Sequence, residues 1–317
     1  MEKCPILIYA IALLIPLQAL SQGCSDAGFC TMGAMKPDQP YNKKIELRLR
    51  SMEVSFYRGT TPVSPVIYVA TADLSFGLNS KTFFQVKLPY QAVKGNFGQT
   101  SGAGDISICF TRNILSTEDY DVNLTLGGKI PTNDSDLTSD DPRFQGLPLP
   151  MYYQTSLGTY DLIGGISLIT SKWLFATGIQ RPLNKNNNQF RWGPWLDPYP
   201  DDEYLRKNAA AVALQRGTDV MVRVERNFRY SRLNFTVGLL PIYRLNRDEI
   251  FDFNLGKRIK PKDAQGLAMS AIVTTGYSFN VRSGVKLLLG KKIVQRKINP
   301  DGLTREFVST LSYFYRF

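Results

Sequence analysis

Tyr120-Asp121-Val122-Asn123-Leu124-Thr125-Leu126 alternates apolar with polar residues at every second position. Successive side chains of a β-strand point to opposite faces, so this stretch makes a strand with one oily and one polar face. The same pattern sets Leu233, Phe235, Val237 and Leu239 against Arg232, Asn234, Thr236 and Arg244. It recurs from Leu267 through Met269, Ala271, Val273, Thr275 and Tyr277 to Phe279, with Ser270, Thr274, Gly276 and Ser278 opposite. These runs reach about ten residues or more, against the ~5–6 of an ordinary soluble strand. Tilted strands of ~9–11 residues match the hydrocarbon thickness of a bilayer.

Working outward from these runs, twelve such segments are expected, near 45–57, 66–77, 81–89, 104–113, 119–130, 157–170, 172–182, 217–229, 231–244, 265–279, 281–293 and 304–317. The links between them alternate in length. Tight ones fall at Asn79-Ser80, Leu115-Ser116, Ser171, Tyr230 and Asn280, and longer ones at 58–65, 90–103, 131–156, 183–216, 245–264 and 294–303. Short periplasmic turns alternating with long extracellular loops is the layout of outer-membrane barrels. The expected fold is therefore all-β, an antiparallel transmembrane β-barrel of about twelve strands within a range of ten to fourteen. The chain ends in an alternating aromatic strand, with Phe307, Leu311, Tyr313, Tyr315 and Phe317 on one face. Tyr313, Tyr315 and Phe317 read as an assembly signal for the barrel-insertion machinery.

The segment before the barrel differs in kind. Met1-Glu2-Lys3 followed by an apolar run from Pro5 to Leu20 reads as a signal peptide over 1–21, with cleavage before Gln22. Residues 22–44 then form a periplasmic or plug segment, and the barrel occupies 45–317. The chain is thus expected to be exported to the outer membrane, with lipid, lipopolysaccharide and a small-molecule solute as its partners. Cys24 and Cys30 are spaced to close a small disulfide ring in an oxidising compartment. An alternative makes Cys24 a lipid-bearing cysteine, although Ser21-Gln22-Gly23 lacks the large aliphatic residue such sites carry.

The 317 residues carry a formal charge of +11. A basic balance suits nucleic acid or anionic lipids and solutes. No basic run or recognition motif supports nucleic acid. Histidine is absent from the whole chain, which excludes mechanisms built on imidazole as general base. No enzyme, cofactor or metal is expected. The acidic loop clusters, Asp134, Asp136, Asp140, Asp141 and then Asp197, Asp201, Asp202, Glu203, lack a fixed ligand spacing and read as solvated carboxylates. Trp192-Gly193-Pro194-Trp195 reads either as an interface anchor or as a fold-back plug.

Assigning the apolar phase to lipid leaves the polar phase for the lumen. Its candidates are Arg223, Arg229, Arg232, Arg244, Arg282, Lys286, Lys129 and Asp105. Acids of the same phase nearly balance the bases, so mutually paired charges bracing the wall are the expectation, with a basic surplus from Arg223 to Lys286 leaving room for an anion path.

Four motifs carry a resemblance: Leu88-Pro89-Tyr90 closing a strand, Ser101-Gly102-Ala103-Gly104-Asp105-Ile106-Ser107-Ile108 opening the next, Gly127-Gly128-Lys129-Ile130-Pro131-Thr132, and Gly158-Thr159-Tyr160-Asp161-Leu162. Their order and spacing resemble the outer-membrane family named for the meta-pathway of phenol degradation, distantly like the long-chain fatty-acid channels. The resemblance covers the second to sixth strands. It implies a transporter-like barrel passing small hydrophobic or aromatic solutes by passive diffusion. Alternatives are a basic-lumen porin for anionic solutes and a structural or adhesive barrel.

Overall fold

The structure, a computed structural model, describes residues 48–317. The expected signal peptide, the disulfide candidates Cys24 and Cys30, and the expected 22–44 segment lie outside the described residues. The strands are β1 (Arg48–Thr60), β2 (Val66–Gly77), β3 (Thr82–Gly95), β4 (Gly98–Ala103), β5 (Ile106–Ser116), β6 (Tyr120–Ile130), β7 (Asp161–Thr170), β8 (Trp173–Pro182), β9 (Asp219–Tyr230), β10 (Leu233–Arg244), β11 (Ile250–Asp252), β12 (Lys257–Ile259), β13 (Gly266–Ser278), β14 (Ser283–Val294) and β15 (Phe307–Arg316).

Each long strand pairs antiparallel with its chain neighbours, and β15 returns to β1 with Ser51 opposite Arg316. The sheet is closed, so no edge is left unpaired. β4 and β5 both pair with β3 and form one stave interrupted at Gly104-Asp105. The short β11–β12 hairpin belongs to a loop. The result is a closed antiparallel barrel of twelve staves.

Outward faces are oily along the length of the wall: Phe56, Leu126, Leu162, Phe175, Leu239 and Leu311 are all exposed. Large contiguous apolar surface is unfavourable in water and suits hydrocarbon. Aromatic pairs cluster where the strands meet the short turns, with Trp173–Phe175 centroids 5.8 Å apart, Tyr277–Phe279 5.6 Å and Tyr315–Phe317 5.0 Å. Rings at that level form the girdle typical of a bilayer interface. Tyr313 and Phe317 point outward from the last strand.

Four sequence expectations need correction. Residues 90–103 are not a loop: β3 runs on to Gly95 and β4 starts at Gly98, so a hairpin stands above the rim with its tip at Asn96-Phe97. Beyond the membrane a strand needs no oily outer face, so alternation cannot announce it. Arg232 and Arg282 lie in turns rather than in strands. Ser231 takes a positive φ of 48° before Arg232, and the Asn280 side chain accepts from the backbone N–H groups of Arg282 and Ser283 at 2.8 and 2.9 Å. The inner face is not uniformly polar either. Ile163, Ala176, Met221, Leu240 and Ile272 form a buried apolar strip on the inner wall of β7 to β13. The opposite inner wall is polar, with Gln85 donating to both Asp73 oxygens at 2.8 and 2.7 Å and Thr111 bonded to Thr125 at 2.7 Å.

Candidate functional site: the extracellular mouth

The long loops do not splay into solvent. They fold back over the barrel, and an aromatic cluster marks where they meet. Phe97 from the hairpin tip packs on Trp195 and Tyr199, with centroids 4.6 and 4.8 Å apart, and Phe144 lies 5.4 Å from both. Phe97, Tyr153, Phe190 and Trp195 are fully buried. Below them lie Tyr57, Ile67, Val69, Val93 and Val308 of the wall. Trp192-Gly193-Pro194-Trp195 is therefore a fold-back segment. A short helix α1 (Gly193–Leu196) with Pro at its start turns Trp195 inward. Its indole donates to the Pro148 carbonyl at 2.9 Å. A second helix, α2 (Asp202–Arg206), is capped by Asp201, which accepts from Tyr204 N–H at 2.8 Å. That helix aims the Tyr204 hydroxyl at Ser64, to which it donates at 2.5 Å.

Around the rim, charges at the strand ends bind these loops. Lys129, ending its β6 residues inside the wall, sits 2.7 Å from Asp105 and 3.5 Å from Asp161. Asp161 also accepts from Arg216 at 2.9 Å. Arg244, at the end of β10, is the hub: it binds Asp219 at 2.6 Å, Asp248 at 2.7 Å and Asp301 at 2.7 Å. Arg296 adds a contact to Asp301 at 3.6 Å. All these side chains are at most a tenth exposed. Charges so buried persist only when paired and hydrogen-bonded. Burial pulls the Asp301 carboxyl up, and the guanidiniums of Arg244, Arg296 and Arg216 outweigh it, holding it below the usual carboxylate range.

The acidic loop residues brace the same lid. Asp136 accepts from Gln189 N–H at 2.7 Å, Asp140 from Gln99 N–H at 2.9 Å, and Asp141 binds Arg143 at 2.6 Å. Gly302 shows how close the loops lie. Its φ is +64°, and a Cβ there would sit 2.6 Å from the backbone of Met151 and Tyr152.

On the outer side of the lid opens a cavity of about 1010 Å³. Tyr152, Trp192, Leu196, Ile250, Phe253 and Ile259 supply an apolar lining, and Arg191, Arg206, Lys207 and Lys297 are the cations along it, against a single carboxylate, Asp252. Burial pushes the Tyr152 phenol up to about 12.

No known protein family matches the chain, and no curated protein does. Solved structures do. An outer membrane channel from Pseudomonas putida F1 aligns with a TM-score of 0.61 at 14% identity, over 88% of this chain and 99% of that one. The NanC porin aligns at 0.44 and 6%, over 84% and 98%. Outer membrane phospholipase A from Escherichia coli aligns at 0.38 and 6%, over 85% and 94%. What is shared is the barrel. At these identities the likeness shows the fold alone.

The remaining candidates separate by place. Arg223 lies deep inside and binds Glu225 at 2.5 Å. Arg229, Arg232 and Lys286 come together at the opposite, periplasmic end, lining a recess of about 600 Å³. Arg282 is exposed on its turn and is not part of that recess. Arg316, on the polar face of the last strand though not among the lumen candidates, also lines the recess and stacks 5.0 Å from the Phe314 ring. Strand phase does mark it, since Arg316 shares the inward face with Ser312 and Phe314. Asp248, Asp301 and Arg216 carried no such signal, because they lie in loops and only the folded lid brings them to the rim.

Proposed function

We propose that this chain is an outer-membrane channel that passes small, predominantly apolar or aromatic solutes by passive diffusion, as the resemblance to the meta-pathway family implies. One observation carries the reading: apolar surface continues from the mouth into the barrel. Leu288 packs against the core in which the lid aromatics sit together with Tyr57, Val69 and Val308 of the wall, and also against the inner strip of Ile163, Met221, Leu240 and Ile272. A solute entering the outer cavity meets Trp192 and Tyr152, which border that cluster. Displacing the lid would bring such a solute onto the strip. Sugar-sized polar solutes would gain nothing from that surface. The absence of histidine supports a non-enzymatic role, and the apolar outer wall with its aromatic girdle supports residence in the outer membrane.

The test is permeation by the full chain reconstituted in liposomes. Trp195→Ala removes the centre of the lid, at about 3 kcal/mol of packing, and is expected to raise uptake of an apolar probe severalfold. If neither the natural chain nor this variant changes permeability, the channel reading fails. A second reading, a porin for anionic solutes, is favoured by the periplasmic recess, where Arg229, Arg232, Lys286 and Arg316 gather without a lining carboxylate.

A further inference from the structure

Resting on that reading, we infer that the outer cavity is a binding site for an organic monoanion: a carboxylate carried on a compact apolar body such as one aromatic ring. The cavity, about 1010 Å³, stands at the upper end of the ~300–1,000 Å³ of small-ligand sites. Its wall offers an apolar body a large contact through Ile250, Phe253, Ile259 and Leu196.

The head group is set by the arginines. The Arg191 guanidinium stacks 3.8 Å from the Phe253 ring centroid, and that of Arg206 lies 5.5 Å from the Trp192 ring. Among the described residues neither has a carboxylate at ion-pairing distance, whereas Lys207 is held by Glu203 at 3.3 Å and Lys297 by Asp263 at 3.7 Å. A guanidinium lying over a ring still presents its N–H edge in the plane, the geometry that grips a carboxylate with two parallel hydrogen bonds. Stacking also holds the donors in place before the ligand arrives, which lowers the ordering cost of binding. A cationic solute meets Arg191 and Arg206, which no carboxylate among the described residues pairs, beside one lining carboxylate, Asp252, and is disfavoured. A neutral arene gains the apolar wall only. The periplasmic recess has the same sign of charge: Lys286 and Arg316 flank Phe314 at 4.9 and 5.0 Å, with Glu53 3.9 Å from Lys286 as the nearby acid. A solute chosen at the outer cavity would therefore leave past cations stacked on an aromatic ring.

The experiment titrates the full chain in detergent micelles with benzoate, benzyl alcohol and benzylamine, read by calorimetry and by the fluorescence of Trp192. Benzoate is expected to bind about tenfold more tightly than benzyl alcohol, the worth of one charge-assisted contact, and benzylamine most weakly. In Arg191→Ala/Arg206→Ala the benzoate advantage disappears while benzyl alcohol binds as before. Arg191→Lys/Arg206→Lys, which keeps the charge but not the planar fork, retains part of it. Unchanged heat-modifiable mobility on gels shows that the variants are folded. Equal binding of benzoate and benzyl alcohol, an advantage that survives the double alanine variant, or no binding of any probe overturns the inference. A chain that conducts but fails here keeps the channel reading, and one that binds benzoate yet never conducts loses that reading alone.

Discussion

The two ends of the barrel handle charge in opposite ways. At the extracellular mouth the central buried bases sit among acids: Arg244 touches Asp219, Asp248 and Asp301, and Lys129 touches Asp105 and Asp161. At the periplasmic mouth Arg229, Arg232, Lys286 and Arg316 share a recess that no carboxylate lines. The contrast separates structural charge from charge left for a solute. Buried, matched pairs fix the loops to the rim. Exposed bases such as Arg229 and Arg232 cost little, and Lys286 lies 3.9 Å from Glu53.

The largest expected effect follows from breaking the matched end. Arg244→Ala strands three carboxylates at the rim and should destabilise the folded mouth by about 3–5 kcal/mol. The loss should appear as a lower urea midpoint and as protease cleavage in loops 245–265 and 295–306. Gly302→Ala attacks the same lid through geometry. A side chain at φ +64° and 2.6 Å from the Met151 and Tyr152 backbone should cost about 1–3 kcal/mol, and the same cleavage assay reads it. Acid should loosen the mouth too. Because Asp301 titrates lower in the folded chain than when unfolded, its contribution is complete above the unfolded value of ~4 and disappears as pH falls from there through the lower folded value. Loop cleavage by an acid-tolerant protease should thus rise as pH falls below about 4. The smallest effect sharpens the comparison from the other end. Arg316→Ala should leave stability within about 0.5 kcal/mol yet lower anion preference in a salt-gradient reversal potential. A large loss of stability there would erase the distinction between the two mouths.

How much of this the sequence discloses depends on which residues face lipid. The wall was legible because hydrocarbon demands an apolar side chain at every second position, so the strands around Leu124, Val237 and Val273 announce themselves. Where the chain leaves the bilayer that demand stops, and the β3–β4 hairpin read as a loop for that reason. The inner strip was hidden by the assumption that inward means polar; Leu240 and Ile272 lie in the inward phase and are buried there. Of the ionic hub, Arg244 was placed by strand phase, but Asp248 and Asp301 depend on loop conformation, which no periodicity encodes. The outer cavity is built almost wholly of loop residues and was invisible for the same cause.

One feature of the lid bears on how the molecule is assembled. Its aromatic cluster rests on Tyr57 from the first strand and Val308 from the last, the two strands whose pairing shuts the cylinder. A half-inserted chain whose seam is still unzipped lacks one side of the seat on which Phe97 and Trp195 settle. The cover is therefore expected to be completed only when the final strand docks on the first.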